Sequence, residues 1–305
     1  MSLRRVTVTG ATGLIGPQLV SELLAQDVEV TVLSRDPERA EQRLAGVSAV
    51  GWDLLAEPAP VEALAGRDAV IHLAGEPVAQ RWSAESKRAI AESRVLGTRN
   101  LLAGLGRCEP RPAVLVSASA IGYYGPHGEE PLDEDAPAGT DFLAGVCADW
   151  ERESQRAGEL GMRAVQVRIG IVLDAGGGAL ATMLTPFRLG VGGPVAGGRQ
   201  YMSWVHPQDL VGIFVRAAED ERWSGPVNAT APEPVTNADF SRALGRALHR
   251  PALMPVPGFA LRVMYGEMAE IVTTGARVVP AKALVLGYEF HHPELGEALN
   301  SALAG

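Results

Sequence analysis

The sequence predicts an α/β fold, a doubly wound parallel sheet followed by a smaller C-terminal part, on three observations. An apolar, β-branched run (Val6, Thr7, Val8, Thr9) opens the chain and breaks at a glycine turn. Leu19, Val20, Leu23 and Leu24 then recur at helical period. Further short apolar runs follow, separated by helix-like stretches, as expected of strands buried on both faces by crossover helices.

The first turn carries the most chemical information. Gly10, Gly13 and Gly16 fall on a Gly-x-x-Gly-x-x-Gly spacing between strand and helix. Gly10 permits the tight turn, Gly13 lets the backbone approach a pyrophosphate, and Gly16 is expected to pack the helix against the sheet. The helix then turns its positive dipole end to the phosphates. This is the pattern of a Rossmann-type dinucleotide site; the plain alternative is an ordinary strand-to-helix turn.

Composition narrows the class. The chain has 305 residues, enough for a substantial core, with 47% hydrophobic and 21% charged residues. A net charge of −9 argues against nucleic acid or an anionic membrane as a default partner, so an anionic ligand needs a local basic patch. Cys108 and Cys147 offer neither a disulfide framework nor metal spacing, so no metal is expected, and a reducing, cytoplasmic setting fits. No apolar run approaches the roughly 18 residues of a spanning helix, and the strand at Val6 is expected to leave no room for a signal peptide.

Val28 to Leu33 reads as the second strand, ending in Ser34-Arg35 where an acidic ribose ligand would favour NAD. Arg35 offers a planar fork to a 2′-phosphate and Ser34 a hydroxyl, which points to NADP; a solvated arginine is the alternative. Asp36 beside them offers a ribose contact, and Asp53, after Trp52, an adenine contact. Asp68 to Ala74 reads as the fourth strand, with His72 expected to be packed within it.

From here the chain resembles the extended short-chain dehydrogenase/reductase family. The motifs are TGATGLIG, the strand ending HLAG, and Arg94-Val95-Leu96-Gly97-Thr98, where the family has Asn in place of Arg94. Lys87, Ile90, Ser93 and Arg94 narrow the likeness to an atypical branch of epimerase-family proteins, related to nucleotide-sugar epimerases, with a small C-terminal segment of its own. The resemblance covers essentially the whole chain. It implies NADP contacts from Gly10, Thr12, Gly13, Leu14, Ile15, Gly16, Ser34, Arg35, Asp53, Leu73, Ala74, Gly75, Arg94, Ser117 and Val172. An arginine at 94 is expected to place positive charge on a phosphate or a substrate anion.

Ala113 to Ser119 reads as the fifth strand, running into Tyr123 and Tyr124. The family's Ser-x-x-x-Tyr-Gly motif places Ser119 as the residue that hydrogen-bonds the reacting oxygen. A small residue ending a strand, and packing aromatics at a pocket mouth, are the alternatives. The family's Tyr-x-x-x-Lys pair is absent: on the helix expected over Phe142 to Arg156, Cys147 takes the Tyr position and Glu151 the Lys position. A thiol of ordinary pKa, about 8.5, can exchange protons, but Glu151 would disfavour its thiolate. Ser119, Tyr123 and Cys147 are therefore the candidate catalytic residues.

Val165 to Val172 reads as the sixth strand, with Ile169 to Val172 expected beside the nicotinamide. Met202 then stands where nucleotide-sugar epimerases carry a diphosphate-binding Arg, with Ser203 in place of the following Asp; Arg188 or Arg199 is a candidate replacement. His206 and Asp209 are expected to fix a strand-to-helix turn. Val227-Asn228-Ala229 resembles a substrate-domain strand, and Thr236 or Asn237 is expected to cap the next helix. Phe259 to Met268 is amphipathic and reads as core or lid in preference to a membrane helix.

The expected organisation is an NADP-binding Rossmann domain over 1–170, to which some later segments return, and a substrate-binding part over 171–305 that includes the C-terminal segment 251–305. The expected function is NADP-dependent oxidation, reduction or epimerisation at a hydroxyl or carbonyl of a small molecule. The alternative is a non-catalytic NADP(H)-binding redox sensor acting through a protein partner. A small-molecule substrate and a homodimer are the expected partners, without nucleic acid or membrane.

Overall fold

The computed structural model describes residues 2–304. Seven parallel strands form the central sheet: β1 (Arg5–Thr9), β2 (Glu29–Ser34), β3 (Ser48–Gly51), β4 (Ala69–His72), β5 (Val114–Ala120), β6 (Arg163–Ile169) and β7 (Gly225–Ala229). Their spatial order is β7-β6-β5-β4-β1-β2-β3. The order reverses between β1 and β4, and that switch point opens a ligand crevice at the strands' carboxyl ends.

Helices cover both faces, which is why Val6, Thr7, Val8 and Thr9 are all buried rather than alternating. On one face, α1 (Gly16–Ala25) contributes Leu19, Val20 and Leu23 to the main core beside Val8, Val30 and Val116. On the other, α3 (Ala84–Leu105) packs Leu101, Leu102 and Leu105 against Val70 and Leu115. Between them in the chain lies α2 (Pro37–Arg43), whose N-cap Asp36 accepts from the Arg39 N–H. A Ser83/Ser86 capping box starts α3. Beside it runs α4 (Phe142–Gln155), capped by Asp141.

The later chain builds a second layer from α5 (Gly178–Arg188), α7 (Asn237–Ala247) and the C-terminal α9 (Leu295–Ala304). These bury Leu180, Leu184, Phe240, Leu244 and Leu299 around Trp204. Thr236 caps α7, accepting from the Asp239 N–H. Two segments return to the sheet. One is α6 (Pro207–Glu219), which lays Leu210 and Phe214 on the main core. The other corrects an expectation: Val227-Asn228-Ala229 lies in β7, hydrogen-bonded to β6 at the sheet edge, and not in the substrate-binding part. An apolar run facing an open parallel edge is satisfied only by joining it.

The expected turn at His206 and Asp209 is a latch on the tail. His206 caps α6 by accepting from the Gln208 N–H at 3.2 Å, and burial together with the facing His292 and His291 lowers its pKa to about 4. The Asp209 carboxylate accepts from the His291 and His292 N–H groups at 2.7 and 3.0 Å. Short helix α8 (Gly258–Tyr265) buries none of its side chains, so the expected core role of Phe259 to Met268 does not hold.

Candidate functional site

The glycine turn is a cradle. Gly10 has φ +69°, and a Cβ there would lie 2.7 Å from the Ala74 nitrogen, so only glycine lets the turn rest on Leu73-Ala74-Gly75. The Cβ position of Gly13 meets nothing but the Gly10 carbonyl, at 3.1 Å, and otherwise faces open space. Gly16 differs from expectation: a Cβ there would meet Ala11 of the same loop at 2.2 Å, so it closes loop on helix and not helix on sheet. The N-cap of α1, Ile15, has no side-chain cap and the first turn holds no acidic residue. A helix end left uncapped beside an open glycine position is what a dinucleotide's pyrophosphate needs.

Around the cradle, Thr12 is half-buried, and Leu14 is exposed and reaches the turn at Gly177. Arg35 lies exposed at the end of β2, while the Ser34 hydroxyl donates to the Asp36 carbonyl at 3.0 Å and steadies that turn. Asp36 is occupied in capping α2. Asp53 is exposed, its Oδ1 accepting from the Leu55 N–H at 3.0 Å. Val172 pairs with Val205 in a two-stranded ribbon beyond β6.

Two residues expected at the cofactor have their side chains engaged elsewhere. Ser117 is fully buried, its hydroxyl donating to the Ala118 carbonyl at 3.1 Å. Arg94 donates to the carbonyls of Glu76 and Ile90 at 3.0 and 3.1 Å and lies over the Trp150 ring. The guanidinium braces the backbone after β4 instead of reaching for an anion. His72 is the packed histidine expected: Thr9 and Thr98 hold its two ring nitrogens, and burial, aided by the charge of Arg94, takes its pKa down to about 4.

The chemistry gathers where β5, β6 and β7 end. Ser119, Arg168 and Asn228 are register partners across these three strands and form one polar row. Glu151 descends onto the row from α4. The Ser119 hydroxyl donates to Glu151 Oε1 at 2.6 Å. Arg168 grips the same carboxylate with both arms, Nε to Oε1 at 2.8 Å and Nη2 to Oε2 at 2.9 Å. Both partners of this ion pair are almost fully buried. Arg168 Nη1 also donates to the Tyr124 hydroxyl at 2.8 Å, and that hydroxyl donates to Asn228 Oδ1 at 2.7 Å.

This geometry revises the roles expected from sequence. A carboxylate that already takes two N–H donors accepts only, so the proton of Ser119 points to Glu151 and its lone pairs remain for a ligand. The Ser119 hydroxyl proton is thus engaged with Glu151. Burial, with the negative charge of Glu151, pushes the Cys147 thiol up to about 12, so it stays protonated near neutral pH. Burial likewise pushes Tyr124 up to about 12, and its hydroxyl is consumed by the network. Tyr123 is half-buried with its ring stacked on the Arg168 guanidinium at 3.6 Å; it remains within reach of this end of the sheet.

Met202 is buried and its sulfur accepts from Asn237 Nδ2 at 3.2 Å, while Ser203 bonds Ala276 and Val278. Both residues knit the second layer together. Among the described residues no group of three or more His, Cys, Asp or Glu side chains is arranged to hold a metal ion.

The model for the NAD dependent epimerase/dehydratase family matches residues 6–229, and a domain of unknown function matches residues 256–302. An epimerase family protein of Arabidopsis thaliana, the chloroplastic SDR39U1 homolog, is 40% identical over 98% of this chain and 86% of its own. The bovine epimerase family protein SDR39U1 is 38% identical over 98% of this chain and all of its own length. Among solved structures, human epimerase family protein SDR39U1 with NADPH superposes with a TM-score of 0.89 at 36% identity, covering 99% of both chains. A nucleoside-diphosphate sugar epimerase from Corynebacterium glutamicum gives a TM-score of 0.79 at 34% identity, covering 99% of this chain and 58% of that one.

Proposed function

The chain belongs to the NAD dependent epimerase/dehydratase family, and from that premise we propose that it is an NADP(H)-dependent oxidoreductase acting at a hydroxyl or carbonyl carbon of a small molecule. The observation that carries this reading is the Ser119–Glu151–Arg168 relay at the carboxyl end of the sheet. A purely packing role needs no serine hydroxyl held on an arginine-clamped carboxylate at the carboxyl ends of the strands.

When bound, the nicotinamide supplies the hydride acceptor or donor. The residues of the chain manage the proton. A substrate hydroxyl donates to the free lone pair of Ser119. As that proton moves onto the Ser119 oxygen, the serine's own proton passes to Glu151 Oε1. In the opposite direction Glu151 returns it through Ser119 to a carbonyl oxygen. Arg168 fixes the carboxylate in place against the Ser119 hydroxyl. Cys147 borders the site as a neutral thiol. Measuring NADPH oxidation against a panel of aldehydes and ketones tests the proposal: turnover of one member supports it. Tight NADPH binding with no turnover of any member, and a protein partner that distinguishes NADP from NADPH, is the result expected of a sensor instead.

Arg35 at the end of β2 supports NADP over NAD. Losing one charge-assisted phosphate pair costs about 1.5–3 kcal/mol. Arg35→Ala is thus expected to weaken NADP binding roughly ten- to a hundred-fold by calorimetry and to leave NAD binding nearly unchanged. Equal weakening of both would remove Arg35 as the discriminator.

Nucleoside-diphosphate sugars are expected to be poor ligands. The position that holds a diphosphate in epimerases is Met202, whose thioether carries no charge and is already bonded to Asn237. Thermal-shift titration with uridine-, guanosine- and thymidine-diphosphate sugars, NADP present, checks this. Saturable stabilisation at micromolar concentration would restore a nucleotide-sugar substrate.

A further inference from the structure

The overall charge of −9 hides a face of opposite sign. The loop after α5 and the segment after α7 are zipped together: Met254 N–H donates to Gly192, Val256 to Pro194 and Ala196 to Val256, while Arg250 Nε reaches the Arg188 carbonyl. Over residues 188–199 and 239–272 six arginines (188, 199, 242, 246, 250, 262) stand against three carboxylates. Of these three, Asp239 is paired with Arg242 and Glu267 with Lys87. Arg242, Arg246, His249, Arg250 and Leu253 line an open hollow of about 630 Å³.

Large apolar side chains stand exposed along the same two segments: Leu189 at 73%, Leu253 at 81%, Phe259 at 73% and Val263 at 76%. Helix α8, which bears the last two, has Ala260, Leu261 and Tyr265 half-buried and no side chain fully buried. Exposed large apolar side chains interspersed with arginines, on a protein acidic elsewhere, are the composition of a surface that lies in a lipid interface. Among the described residues no helix is long and apolar enough to cross a membrane, so such contact would be with one leaflet only.

We propose that this face docks on an anionic phospholipid surface, Phe259, Val263, Leu189 and Leu253 entering the headgroup–acyl boundary while Arg246 and Arg250 meet headgroup phosphates. Charge decides against a second copy as the occupant. A two-fold contact through this face would set arginines against arginines, and like charges in an interface repel. Net charge made an anionic membrane an unfavourable default; the local distribution reverses that for this face and orients the acidic remainder away from the bilayer.

Sedimentation of the 305-residue chain with vesicles tests the proposal, using phosphatidylcholine alone and phosphatidylcholine mixed with phosphatidylserine. Pelleting is expected only with the anionic vesicles, and it should fall as salt rises. Each arginine removed should weaken partitioning about fivefold, and Arg246→Glu with Arg250→Glu by more. Phe259→Ser with Val263→Ser should also release the protein, whereas Arg43→Glu with Arg107→Glu, exposed elsewhere, should not differ from wild type beyond the effect of net charge. All these positions are exposed, so unchanged melting temperatures show that each variant is folded. Absence of pelleting with anionic vesicles, or pelleting that both face variants leave intact, overturns the proposal. So does a dimer by light scattering that Phe259→Ser with Val263→Ser dissociates, since the face then belongs to a second copy.

Discussion

Installing the family's usual pair, Cys147→Tyr with Glu151→Lys, is expected to unfold the protein rather than to raise its activity. Glu151 is the counter-charge of the buried Arg168, and Lys there would set two cations together away from water. Removing one partner of a buried ion pair costs about 3–5 kcal/mol, a large share of the 5–15 kcal/mol that holds a typical domain folded. Even the milder Glu151→Gln should lose that much in urea denaturation. Adding Arg168→Met to Glu151→Gln should recover most of the loss, because a buried pair exchanged for uncharged side chains is often close to neutral. A loss below about 1 kcal/mol for Glu151→Gln would mean that the pair is solvated, like an ordinary surface salt bridge.

Gly13→Val is expected to abolish NADPH binding while leaving the protein folded. The Cβ position there meets only the Gly10 carbonyl, so the backbone accepts a side chain with a small shift. The isopropyl group would then fill the open space that the pyrophosphate needs. Fluorescence titration with NADPH should show no saturation, and the melting temperature without cofactor should stay close to that of wild type. Retained affinity would place the phosphates elsewhere.

The parts legible in the sequence are those decided within a few residues. The strand at Val6, the turn at Gly10 and the cap at Thr236 depend on local patterning and turn chemistry, and the structure places each where the pattern does. Partner choice is different, because it depends on residues far apart in the chain. Arg168 sits inside VQVRIGIV, and a charge within a buried strand requires a buried counter-charge. Glu151 was the matching signal, but α4 buries a second carboxylate, Glu153, and periodicity does not say which helix crosses which strand. The same limit explains Val227 to Ala229, readable as a strand without its sheet. It explains Arg94 too, whose type suggests an anion ligand while the backbone carbonyls it braces are invisible in sequence. For helix α8 the core half of the reading fails for another reason: its apolar pattern is real, but Phe259 and Val263 face outward and none of its side chains is fully buried.

The central claim is that Ser119 carries the proton between substrate and Glu151. Its most direct test is the rate of NADPH oxidation by wild type and Ser119→Ala, with the reactive carbonyl saturating, alongside NADPH affinity for both. Removing a group that touches the reacting oxygen commonly costs about a hundred-fold or more in rate. A loss of that size is expected in Ser119→Ala, with NADPH affinity unchanged. Equal rates for the two proteins would contradict it.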